Sequence, residues 1–152
     1  MIGANLAWAA GNPITGLFDK PRGNKAISLS PQAALLLSAI AMLFIDGDVH
    51  DDKIAVIRRL DGSGRTNAWD QAVKTWKTRT VDECIRLAAR AMNSEQKSVA
   101  VANMVDIALA DGILAGAEER LLKECARAFG ISESFIENIV YVISIKNTKS
   151  AF

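Results

Sequence analysis

One histidine, two cysteines and three prolines in 152 residues leave little material for several kinds of chemistry. The single imidazole, His50, lies in a polar stretch with no GxSxG nearby, so Ser-His-Asp catalysis has nothing to stand on. Cys84 and Cys125 form no CxxC or Cys–His pair, which excludes a sulfur–nitrogen metal site. Each falls inside a helix-like pattern and reads as a buried free thiol, which fits a reducing compartment. No Gly-rich nucleotide loop is present, since Asp61-Gly62-Ser63-Gly64 follows no strand. No run of apolar–polar alternation is long enough to argue for a sheet. The longest apolar run covers 13 residues, 33 to 45, interrupted by Ser38. That is short of the ~20 needed to cross a bilayer. The N-terminus lacks a basic n-region, so the expectation is a cytoplasmic protein without a signal peptide. With 18 basic and 17 acidic residues, no global field draws in nucleic acid or an anionic membrane.

What is present is helix. Residues 1 to 29 read as an arm: a short helix around Trp8, then a loop rich in Pro and Gly. Ser30-Pro31 sets an N-cap and a first-turn proline, opening a central helix to about Ile45. Asp51 or Asp52 opens a second helix, and a third covers about Asn67 to Lys77 with Trp69 and Trp76 on one face. Thr80 and Glu83 form a capping box for the fourth. Ser94 is expected to cap the fifth, Gly130 to end the sixth and Ser132 to cap the seventh. The apolar stripes of the last two helices read as core. The expected fold is all-α, about seven helices over residues 30 to 145, with a tail at 146 to 152. Arg58, Arg59, Arg65, Lys74, Lys77 and Arg79 make the most basic region, read as a solvated face rather than a nucleic-acid patch.

Two stretches repeat. FIDGDVHDDK, residues 44 to 53, packs Asp46, Asp48, Asp51 and Asp52 around His50, behind the apolar helix. ADGILAGAEERLL, residues 110 to 122, does the same with Asp111, Glu118 and Glu119. Asp46-Gly47 and Asp111-Gly112 lie 65 residues apart, as in a duplicated helical hairpin about a pseudo-twofold axis. This pattern resembles the TerB-like tellurite-resistance family over roughly residues 30 to 145. The resemblance implies an all-helical fold in two related halves and a role in divalent-metal binding or sensing tied to oxyanion and chemical-stress systems. It also implies an acidic site at Asp46, Asp51 and Asp52, with Asp111, Glu118 and Glu119 from the second half. The intervening ILAGA carries no carboxylate, so the second half offers a thinner ligand set.

Two explanations of the acids stand side by side. Carboxylates crowded into one loop repel one another, and a hard cation relieves that repulsion. Asp46, Asp48, Asp51 and Asp52 would lead, completed by Asp111, Glu118 and Glu119, with Asp106 a weaker candidate. Oxygen donors favour Ca²⁺ or Mg²⁺ over Zn²⁺, and His50 as an extra ligand would shift that balance. The spacing is not that of an EF-hand: counting from Asp46, the glycine is second and the twelfth residue is Ile57. Alternatively, Asp51, Asp52, Glu118 and Glu119 simply cap helices and meet their dipoles. That account leaves Asp46 and Asp48 unexplained, because they follow a helix C-terminus. The expected function is therefore a non-catalytic divalent-cation-binding or sensing module of a stress-response system, with other proteins of that system as partners. The alternative is an acidic scaffold that binds a basic partner protein without metal. A hydrolase would require a closed pocket around the acids and a raised carboxyl pKa.

Overall fold

A computed structural model describes residues 27–47, 51–62 and 67–151. Seven helices account for most of them: α1 Pro31–Phe44, α2 Asp51–Asp61, α3 Asn67–Thr78, α4 Val81–Ala91, α5 Ser94–Ala108, α6 Gly116–Phe129 and α7 Glu133–Lys146. No strand occurs among the described residues. The arm up to residue 26, Asp48, His50 and the Ser63–Gly64 turn lie outside them.

The helices begin where local chemistry dictates. Ser30 Oγ accepts from the Ala33 N–H at 3.1 Å, and Pro31 occupies the first turn, where no backbone donor is needed. Thr80 and Glu83 close a reciprocal capping box at 3.2 and 3.0 Å. One expected cap is displaced by a residue: Asn93, not Ser94, caps α5, and it forms a box with Gln96 at 2.9 Å in both directions. An Asn side chain reaches the third backbone N–H as well as a serine does, and Ser94 becomes the first helical residue. Gly130 ends α6 at φ 68°, a left-handed conformation that costs glycine least.

Helix α1 is the axis of the molecule. It packs against α3, α4 and α5, and its buried residues run around the whole helix, from Ala33 to Leu43. Ser38 is buried there without penalty because its hydroxyl donates to the Ala34 carbonyl at 2.9 Å. Phe44 stacks on Trp76 of α3 with ring centroids 6.3 Å apart, and Trp69 is partly buried against the same core. The packed core begins before residue 30. Leu29 is buried, Ile27 packs against the core, and Gln71 of α3 donates to the Ser28 carbonyl at 3.0 Å.

Helix α7 departs from expectation. Leu121, Leu122, Cys125 and Phe129 of α6 are buried, but α7 has no buried residue. Its Ile136, Ile139, Val140 and Ile143 lean on the core, while Phe135, Tyr141, Val142 and Ile145 are exposed. The helix is apolar on more sides than its neighbours α5 and α6 can cover.

Candidate functional site

The two acidic corners have the same local build. Gly47 and Gly112 take left-handed φ values of 77° and 87°. Each donates its N–H to the carbonyl three residues back: Gly47 to Phe44 at 3.2 Å, Gly112 to Leu109 at 2.9 Å. The turn therefore swings the aspartate before each glycine to the end of its hairpin. In the second corner, Asp111 Oδ1 also accepts from the Ile113 N–H at 3.1 Å.

These corners meet on a lysine. Lys53, the third residue of α2, is fully buried. Its Nζ donates to Glu118 Oε2 at 3.2 Å and to Asp46 Oδ2 at 3.4 Å. The Glu118 side chain is 1% exposed and that of Asp46 13%. Glu118 reaches both ways, because its Oε1 accepts from the Ala115 N–H at 3.1 Å and so closes the first turn of α6. Asp46 thus has a partner that helix capping could not supply.

The electrostatics are lopsided. Burial pulls the Lys53 pKa down, but the Glu118 hydrogen bond and the charges of Glu118, Asp46 and Asp111 outweigh it, and the pKa rises above 10.5. Burial raises the Glu118 pKa. The Ala115 N–H and Lys53 pull it back only in part, and Asp46 adds to the rise. One ammonium thus sits in the field of three carboxylates. The lysine is held charged, while the most deeply buried acid is the one whose charge is least comfortable.

The sequence marked seven acids, Asp106 as a weaker eighth, and one histidine, and the structure sorts those that it describes. Asp46 and Glu118 converge, and Asp111 lies near enough to act on the same ammonium. Asp51 and Asp52 are exposed in the first turn of α2, where the helix dipole favours them. Glu119 is exposed and pairs with Lys123 at 3.2 Å. Asp106 is engaged elsewhere, between Arg59 at 3.4 Å and Lys146 at 3.0 Å, which ties α5 to α2 and α7. Asp48 and His50 lie outside the described residues. Among the described residues, no group of three or more His, Cys, Asp and Glu is placed to hold a metal ion. As it stands, the inner junction does not fit a divalent ion, because an ammonium is bonded to two of its carboxylates.

Sequence reasoning missed Lys53, yet the repeat carried the signal. The offset that maps Asp46 onto Asp111 and Gly47 onto Gly112 also maps Lys53 onto Glu118, 65 residues later. Each is the third residue of its helix, a base in α2 and an acid in α6.

The raised carboxyl that a hydrolase requires is present in Glu118, but that group is sealed and bonded at both oxygens. The open groove lies elsewhere, between α6 and α7. It has a volume of about 810 Å³ and is lined by Leu122, Ile136, Val140 and Tyr141, with Glu119, Glu133 and Glu137 and the basic Lys123 and Arg127 at its polar edges. No helix among the described residues is long and apolar enough to cross a membrane.

Comparison with known proteins agrees with this architecture. The family model described as tellurite resistance protein TerB matches residues 32–139. No curated protein and no solved structure matches the chain. The matched span begins in α1, ends in α7 and contains both acidic corners and the lysine between them: the chain belongs to the TerB tellurite-resistance family.

Proposed function

We propose that this chain is a non-catalytic interaction module of a tellurite- or chemical-stress-linked system, binding a basic partner protein without a metal. The observation that supports this reading most is the buried ammonium of Lys53, which is bonded to both Asp46 and Glu118. With Asp46 and Glu118 turned inward and Glu119 paired with Lys123, acids that face an outside partner include Asp51 and Asp52 at the start of α2 and Glu133 and Glu137 beside the α6–α7 groove. The groove's Leu122, Ile136, Val140 and exposed Tyr141 supply the apolar area that a protein partner, unlike an ion, would cover. A basic amphipathic helix meets both demands, with its apolar stripe laid into the groove and its lysines against the glutamates.

Fluorescence anisotropy with a labelled Leu/Lys amphipathic peptide and its Leu/Glu counterpart tests this reading. The Lys peptide should bind, weaken with salt, and bind at least tenfold less tightly to Tyr141→Asp. Equal binding of both peptides, or no effect of Tyr141→Asp, would refute it.

A second reading has its own observation. Asp51 and Asp52 are exposed and adjoin Asp48 and His50 in sequence, so a divalent ion, Ca²⁺ or Mg²⁺ before Zn²⁺, has outward-facing oxygens to meet. This keeps a cation-sensing role on the outer carboxylates of the first corner. Calorimetric titration decides it. Saturable 1:1 binding that disappears in Asp51→Asn/Asp52→Asn supports sensing, whereas heat that depends only on ionic strength favours the scaffold.

A further inference from the structure

We propose that the α6–α7 groove is a self-association surface, covered by the same groove of a second copy of this chain across a two-fold axis that runs along it. Two observations carry this. The first is apolar area without a cover. Leu122, Ile136 and Val140 line the groove, and Tyr141 on the same helix wall is 68% exposed. Ile145, one turn further along α7, is exposed as well, and α7 has no buried residue. The second is the sorting of charge along the two edges. α6 brings Lys123 and Arg127 to one edge, where Lys123 pairs with Glu119 of its own helix at 3.2 Å and Arg127 adds a further positive charge. α7 brings Glu133 and Glu137 to the other edge. Arg127, Glu133 and Glu137 are all exposed.

An apolar strip between edges of opposite sign is complementary to itself. A two-fold axis along the strip lays the positive edge of each copy over the negative edge of the other, and every contact is made twice. A two-fold across the strip would set like edges together, so the charges select the first. The register agrees. Arg127 lies three residues before Gly130 and Glu133 three after it, so the opposite charges flank the same connection between the helices. Rotation about an axis along the groove keeps that height, and Arg127 of each copy meets Glu133 and Glu137 of the second copy. A guanidinium offers a carboxylate two parallel donors there. The four helices, two from each copy, then pack as a bundle that buries Tyr141. The proposal rests on the reading of this groove as a docking site. A basic partner must bring an apolar stripe and positive charge to the glutamates, and a second copy already carries both. A contact of two helices a side belongs with small, transient interfaces, so the second copy is an occupant that another partner can displace.

Analytical ultracentrifugation of the full chain from about 1 µM to 1 mM, the range in which small interfaces populate, tests this. The natural chain should pass reversibly from monomer to dimer and form nothing larger, because a two-fold contact closes on itself. Arg127→Glu and Glu133→Arg/Glu137→Arg should each weaken dimerisation roughly tenfold or more, since each sets like charges across the contact. The triple variant Arg127→Glu/Glu133→Arg/Glu137→Arg, with the edges exchanged, should return to within about threefold of the natural chain. Circular dichroism checks that these exposed substitutions leave the helices intact. The proposal is overturned if the natural chain stays monomeric throughout, if Arg127→Glu dimerises as well as the natural chain, or if exchanging the edges restores nothing. The Leu/Lys peptide separates the two occupants. Dissociation of the dimer by the peptide supports both. A dimer that obeys the charge exchange while the peptide fails to bind leaves the self-contact standing and removes the basic partner alone. A peptide that binds without dissociating the dimer places the self-contact outside the groove and overturns it.

Discussion

Lys53 and Glu118 are each the third residue of their helices, 65 residues apart, and face each other at 3.2 Å, one bearing the charge that the other needs. An acid at both places would set two like charges together, and the base at position 53 makes this contact the bond that pins α2 to α6.

The junction should respond unequally to losing its two members. Removing the ammonium breaks its bonds to both Asp46 and Glu118, whereas removing the Glu118 charge leaves the Lys53–Asp46 bond in place. Lys53→Met should therefore cost about 3–5 kcal/mol, the usual cost of orphaning buried charge. Glu118→Gln, which keeps an acceptor for the Ala115 N–H, should cost less than half of that. Urea unfolding of the two variants at neutral pH checks the order, and equal losses would contradict it.

The pH dependence follows from the direction of each shift. Lys53 has a folded pKa above 10.5, so its stabilisation is fully present below that value and is lost as pH rises through the higher folded one. The stability difference between the natural chain and Lys53→Met should stay constant from pH 7 to about 10 and shrink above it. Glu118 runs the other way. Its folded pKa lies above 4.5, so the folded state holds that proton more tightly and its contribution falls as pH rises through this window. Relative to Glu118→Gln, the natural chain should gain stability as pH is lowered toward 4.5.

Both thiols should be inert in the native state. Burial pushes Cys84 and Cys125 up to about 12, with Glu83 and Glu124 adding to the rise. At pH 8 the folded chain should react with a thiol reagent at least a hundredfold more slowly than the urea-unfolded chain. Because the unfolded thiols ionise first, the folded state loses stability as pH rises above 9. Fast labelling of either cysteine in the native chain would contradict its placement.

The axis helix should be the least tolerant of truncation. Leu36 is fully buried in α1, and Leu36→Ala should cost about 2–5 kcal/mol through lost burial and the cavity left behind. Val142→Ala on α7, where the side chain is 62% exposed, should cost under about 0.5 kcal/mol. Thermal unfolding of both variants reads the contrast.

The helices were legible because their signals are local. Ser30 with Pro31, Thr80 with Glu83 and Gly130 each act within one turn, and each does in the structure what its spacing suggests. The cap at Asn93 was misplaced by one residue because Asn and Ser compete for the same role and only the backbone decides. The outer face of α7 was misread for a different reason. Apolar composition says that a helix can be buried, but α7 is the last helix and only α5 and α6 pack substantially against it. The acidic corners were found because like charge in a loop is conspicuous. The cation between them was not, because a lysine in the first turns of an amphipathic helix looks like a solvated residue. Counting the 65-residue offset past the glycines to position 53 would have singled it out.

The most direct measurement exchanges the pair. Lys53→Glu alone sets a carboxylate against Asp46 and Glu118, and Lys53→Glu/Glu118→Lys returns the ammonium from the opposite helix. Chemical denaturation in chelator should show the double variant recovering more than half of the stability lost in the single one, a coupling that only direct contact provides. A double variant as unstable as Lys53→Glu, or less stable, would contradict the claim that one buried ammonium holds the two corners together.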